Sequence, residues 1–117
     1  MSFKPKEIVV STSEDFQEMI DNKDFIIAKH IVEGIMANLD GNKKHIHVLS
    51  IVCTDEGTIF DITTERKFFA ETLEENLTYY VREEKYEECQ LIANAITKLK
   101  KETIGEIVNQ VKTDLNG

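Results

Sequence analysis

The run His45–Cys53 (HIHVLSIVC) limits the fold more than any other stretch of this sequence. Nine residues rich in β-branched and apolar side chains read as a strand, and apolar groups fall on both of its faces. A strand of that kind belongs in the middle of a sheet, covered on both sides. Its neighbours are close by. Thr54–Gly57 (TDEG) is a turn, and Gly57–Thr63 (GTIFDIT) returns as a second strand, so the pair predicts an antiparallel hairpin. Lys6–Ser11 (KEIVVS), short and β-branched, supplies a third strand.

Around these strands the apolar spacing is helical. Ser11, Thr12 and Ser13 are candidate N-caps, and Glu14 and Asp15 suit a first turn. Phe16, Met19 and Ile20 then form one stripe, which Asp21–Asp24 (DNKD) interrupts. Ile27, Ile31, Ile35 and Leu39 follow at intervals of four, widened by Ile26, Ala28, Val32 and Met36, which predicts a deeply buried helix. Gly34 inside it costs up to about 1 kcal/mol against alanine, so its use there predicts close packing. Asp40-Gly41-Asn42 should stop the helix, with Gly41 as its C-terminal cap. Beyond Thr64, Phe69, Leu73, Leu77 and Tyr80 share a stripe, and residues 82–85 (REEK) break it. A long helix from about Lys85 to Lys101 places Tyr86, Cys89, Ile92, Ile96 and Leu99 three, three, four and three apart, close to a two-helix packing seam. Ile104, Ile107, Val108, Val111 and Leu115 form a last amphipathic segment, which extends that helix or bends away near Thr103–Gly105. Its terminal position makes it the element most apt to fray or to bind elsewhere. The expected class is α+β in one domain, residues 1–117. A small antiparallel or mixed sheet of about three strands and the first helices occupy 1–65, and a C-terminal helical hairpin lies within 66–117.

Charge narrows the possible partners. The net charge is −8, and residues 54–88 hold eleven acids against four basic residues. A phosphate backbone repels such a chain, so direct nucleic-acid binding is not expected. No apolar run reaches the roughly 18 residues of a membrane span. The N-terminal MSFKPKEIVV lacks the apolar core of a signal peptide. Cys53 and Cys89, far apart and without a CxxC pair, read as buried reduced thiols of a cytoplasmic protein.

No chemistry-bearing pattern stands out. His45 and His47, two apart on a strand, share a face with Cys53, but six strand residues separate His47 from the thiol by roughly 20 Å. A tetrahedral site needs four ligands, and no clean third and fourth lie nearby. No metal, cofactor or catalytic residue is therefore assigned, and the chain is not expected to be an enzyme. Phosphate-cradling loops (GxxxxGK[ST], GxGxxG) and the GxSxG elbow are missing from the sequence. The paired carboxylates fall in charge runs on helix surfaces, where solvated acids are the rule.

Residues 77–102 resemble the UVR motif, the helical hairpin of the UvrB and UvrC repair proteins and of some adaptors of bacterial Clp proteases. The matching residues are Leu77, Val81, Glu84, Tyr86, Glu87, Cys89 in a small-residue place, Ile92, Ile96 and Leu99. Gln90 departs from the pattern, as do Ala93-Asn94 where the motif carries Arg-Asp. The resemblance covers about a quarter of the chain. It implies a hairpin that binds protein, commonly another such hairpin, and it implies no nuclease or helicase activity. On that basis Tyr79, Tyr80 and Tyr86 at the turn, the acids Glu83, Glu84 and Glu87, and the seam Ile92, Ile96 and Leu99 are the candidate partner-binding residues. The partner would be another protein or a second copy in a homodimer. The competing expectation is an acidic mimic of nucleic acid that blocks a DNA- or RNA-binding protein.

A shift of 61 residues lays the first helical pair on the second. Phe16 meets Leu77, Ile20 meets Val81, Phe25 meets Tyr86, Ile31 meets Ile92 and Ile35 meets Ile96. Two unrelated amphipathic hairpins can align this well, so duplication and coincidence both stand at this point.

Overall fold

The structure is a computed structural model and describes residues 3–116. The run His45–Cys53 forms the central strand of a three-stranded mixed sheet, and we label the elements around it in chain order. β1 spans Lys6–Val10, α1 Ser13–Asp21, α2 Phe25–Ala37, β2 His45–Cys53 and β3 Thr58–Glu65. A single 3-10 turn, Arg66–Phe68, leads into α3 (Phe69–Arg82), and α4 runs from Tyr86 to Asn116. β1 pairs with β2 in parallel, which requires the α1–α2 crossover between them. β3 returns antiparallel through the short turn anticipated from TDEG. The class is α+β, as the period switches implied.

Among the described residues the sheet is covered on one face only, so the expectation of cover on both sides is corrected. A β-bulge in β2 accounts for the misleading pattern. His47 pairs with Thr63 and Leu49 with Ile62, leaving Val48 as the extra residue. Val48 and Leu49 therefore both face the helices, and both are buried. Past the bulge the alternation is inverted. Ile51 and Cys53 join the core, while Ser50 and Val52 share the outer face with His47. Cys53 thus lies on the face opposite His47, contrary to the regular-strand expectation.

Caps set the helix limits. Thr12 closes a capping box on α1, accepting from the Asp15 amide at 3.2 Å while the Asp15 carboxylate accepts from the Thr12 amide at 3.2 Å. Asp24 caps α2 by accepting from the Ile26 amide at 3.0 Å. α2 ends at Asn38, not at Gly41. The Arg66 guanidinium donates to Asn38 O at 3.2 Å and Leu39 O at 2.7 Å, joining the Gly41 N–H, which donates to Asn38 O at 3.3 Å. A long-range arginine thus shares the end of α2 with Gly41. Within α2, a Cβ on Gly34 would lie 2.7 Å from Val48 Cγ1, so the glycine lets helix and strand touch.

Val32 and Ile35 of α2, Phe69, Leu73 and Tyr80 of α3, and Ile92, Ile96 and Leu99 of α4 pack with the inner face of β2 in one cluster. Each fully buried large side chain contributes about 1.5–3 kcal/mol relative to exposure. The last segment does not bend away. α4 is one unbroken helix of 31 residues. Its final part projects from the body, and the longest dimension of the molecule is 59 Å against 33 and 29 Å.

The two helical breaks have the same geometry at the 61-residue offset. Lys23 and Glu84 both adopt left-handed backbone, with φ of 53° and 57°. Lys23 N–H donates to Ile20 O and Asp24 N–H to Met19 O; Glu84 N–H donates to Val81 O and Lys85 N–H to Tyr80 O, all four at 3.0 Å. Such αL caps end a third to a half of helices, so the match establishes a shared turn.

Candidate functional site

The turn between α3 and α4 is built by Tyr79 through Glu88. Glu83 caps α3, Glu84 reverses the chain, and Tyr86 opens α4. The three tyrosines do not form one cluster. Tyr80 is 4% exposed and meets Phe25 edge-on, with ring centroids 4.9 Å apart. Burial, reinforced by Glu33 and Glu88, pushes its phenol up to about 12. Tyr79 is half-buried with the Arg82 guanidinium 5.2 Å over its ring. It lines a cavity of about 70 Å³ between the two hairpins, with Met19, Ile27 and Asn76. Tyr86 alone stands in solvent, 63% exposed.

The seam residues are likewise inside. Ile92 is 1% exposed, and Ile96 and Leu99 are buried against the same chain. While the fold is intact no partner reaches them or Tyr80, and of the expected partner-binding residues Tyr86, Glu83, Glu84 and Glu87 stay exposed. The reason is geometric: the stripe that makes a good seam was filled by α3 and the sheet. What remains open is an acidic end with apolar side chains set in it. Tyr86, Val81 and Leu91 are exposed, as are Glu83, Glu84, Glu87 and Glu88 in the same stretch of chain. Among the described residues only Glu83 of these four is paired, to Arg82 at 3.3 Å. Arg82 also donates to Lys23 O at 2.9 Å and Lys85 lies 5.6 Å from the Phe25 ring, so both nearby cations lean toward the first hairpin.

Two further constellations escaped the sequence. On the open sheet face, His47 Nε2 lies 2.8 Å from Ser50 Oγ and 3.4 Å from Asp61 Oδ1, and Ser50 Oγ donates to Asp61 at 2.8 Å. The same nitrogen is also 3.1 Å from Leu49 O. A nucleophilic relay needs a histidine bridging serine and carboxylate through its two different nitrogens. Here a single nitrogen, Nε2, meets both. The cluster ties β2 to β3. On a regular strand His47 and Ser50 would face opposite ways; only the bulge brings them together, and no local sequence signal announces it.

The second is a half-open cavity of roughly 470 Å³ where α4 leaves the body. Lys44, Arg66 and Lys67 share its walls with Glu65, Glu102 and Glu106. Arg66 is already engaged with the end of α2 and with Glu102 at 3.3 Å. Charges of both signs and a committed guanidinium favour no particular ligand. His45 also lines it, apart from His47, and among the described residues no three His, Cys, Asp or Glu gather as metal ligands. Among those residues no helix is long and apolar enough to cross a membrane. Cys53 and Cys89 are both unbridged; Cys53 is buried, as expected, and Cys89 is only half-buried. No protein-family model matches the sequence, and no curated protein and no solved structure matches it either.

Proposed function

We propose that this chain is a non-catalytic protein-interaction module, a small cytoplasmic adaptor or regulator that docks through the turn end of the α3–α4 hairpin. One observation carries the reading. Tyr86, which opens α4, is 63% exposed, and its neighbours in the chain Glu83, Glu84 and Glu87 are exposed with it. Tyrosine anchors with a polar rim are typical of binding hot spots, and the acids select a basic partner. The UVR-like pattern of residues 77–102 supports the same end of the molecule, and two free thiols suit a reducing compartment.

A photo-crosslinking residue at Tyr86 should capture a defined protein from cell extract. Tyr86→Ala in full-length protein, and Glu84→Lys with Glu87→Lys, should each reduce co-purification of that protein by tenfold or more, about 1.4 kcal/mol. The thermal midpoint should hardly move, because all three side chains are exposed. Equal co-purification by wild type and both variants overturns the reading.

A second reading rests on charge. Residues 54–88 carry a net −7 (four basic minus eleven acidic), with Glu71, Glu74 and Glu75 exposed along α3. An acidic mimic of nucleic acid would lose its target steeply as salt rises and would tolerate Tyr86→Ala. A partner that survives high salt but not Tyr86→Ala decides for the adaptor.

A further inference from the structure

Residues 100–115 are exposed throughout, yet they are not uniformly polar. Ile104, Ile107, Val108, Val111 and Leu115 are 61, 59, 45, 51 and 80% exposed. At 100° per residue these five point about 110° around the helix from the buried face of Ile92, Ile96 and Leu99. They are therefore a second, separate face, and no part of the described chain covers it. An apolar stripe of this size is uncommon on a soluble surface without a partner.

We propose that a second copy of this chain covers the stripe, as an antiparallel helix pair about a two-fold axis between Asn109 and Gln110. Three observations favour a copy over another partner. The first is charge. Residues 100–116 hold three lysines (100, 101, 112) and three acids (102, 106, 114), a net of zero on a chain of net −8. Two copies meet there without the repulsion that residues 54–88 would impose, whereas a basic partner is drawn to that acidic region. The second is self-complementarity. About this axis Ile104 lies opposite Leu115 of the other copy and Val108 opposite Val111, so the four layers repeat in reverse and every contact is reciprocal. The third is area. Five half-exposed aliphatic side chains per copy offer on the order of 1,000 Å² for the pair, the lower bound for a specific interface. The pair is accordingly a reversible dimer. This surface lies some eighteen residues, about 27 Å, along α4 from Tyr86, so it is independent of the docking reading above.

Sedimentation equilibrium of the full chain over about three decades of concentration tests this directly. Wild type should pass reversibly from one chain mass to two. Val108→Asp with Val111→Asp should lower the association constant on the order of a hundredfold, since it buries carboxylates in the seam. Val108→Ala with Val111→Ala keeps full helix propensity and should still cost on the order of tenfold, which separates lost contact from a melted tail. Leu91→Asp, exposed on another face, should change nothing. Nitroxide pairs fix the orientation. Labels at Gln110 should be close across the dimer, and labels at Thr97 about 37 Å apart along the axis. A wild type that keeps one chain mass throughout, a dimer indifferent to both valine variants, or close labels at Thr97 would each overturn the proposal. Loss of the dimer with partner capture at Tyr86 retained, or the reverse, shows which of the two surfaces has failed.

Discussion

Single residues decide where this protein has no slack. Gly34 is the tightest of them. A methyl there would sit 2.7 and 3.0 Å from Val48 Cγ1 and Cβ, and Val48 is held in the bulge of β2. Alanine gains up to about 1 kcal/mol in helix propensity but overpacks a rigid neighbour by more. Gly34→Ala should therefore destabilise by about 1–2 kcal/mol in urea unfolding, and Val48→Ala in the same chain should recover part of the loss. Tyr80 sets an alkaline limit. Its phenol is raised from 10 to about 12, chiefly by burial. Below pH 10 it is neutral in both folded and unfolded chains, and its contribution is fully present. As pH rises through 10 toward 12 only the unfolded chain ionises, so stability falls. Denaturant midpoints should drop across that window, and Tyr80→Phe should make the drop shallower. Gly34 could be singled out by its place in an apolar helical stripe. The burial of Tyr80 could not be separated from the exposure of Tyr86, because both fit a stripe and only the packed partner, Phe25, chooses between them.

At the scale of elements, the helical breaks concentrate local strain. Lys23 and Glu84 hold left-handed backbone that disfavours any Cβ. Glycine at either position relieves the clash at some cost in unfolded-chain entropy, so Lys23→Gly and Glu84→Gly should each stabilise by roughly 0.5–1 kcal/mol. Calorimetry on the two variants checks this, and a loss at either would mean that the side chain, not the backbone, matters there. Element types were readable because strands alternate and helices repeat near 3.6. Thr12 was readable among the candidate caps, since its hydrogen bonds are local. The end of α2 was not. Asn38 and Leu39 accept from Arg66, 28 and 27 residues away, and no window of sequence contains that contact. The bulge escaped for a related reason: an extra residue in one strand shows only when the register with the other is known.

Across the whole molecule, α4 does two jobs. Its first half completes the core through Ile92, Ala95, Ile96 and Leu99, and its second half stands outside it. Deleting residues 104–117 retains Leu99 and the Arg66–Glu102 pair at 3.3 Å. The thermal midpoint of the shortened chain should stay within a few degrees of wild type at a concentration where both are monomeric. A large drop would show that the tail supports the body. The sequence by itself determined the kinds of element, their order along the chain and the acidic bias of residues 54–88, because periodicity, propensity and charge act over a few neighbouring residues. Only the tertiary structure decided which apolar stripes are core and which are surface. Ile92 and Ile104 carry the same side chain on the same helix, one 1% and the other 61% exposed. An amphipathic face specifies that it should be covered, but what covers it depends on where α3 and the sheet end.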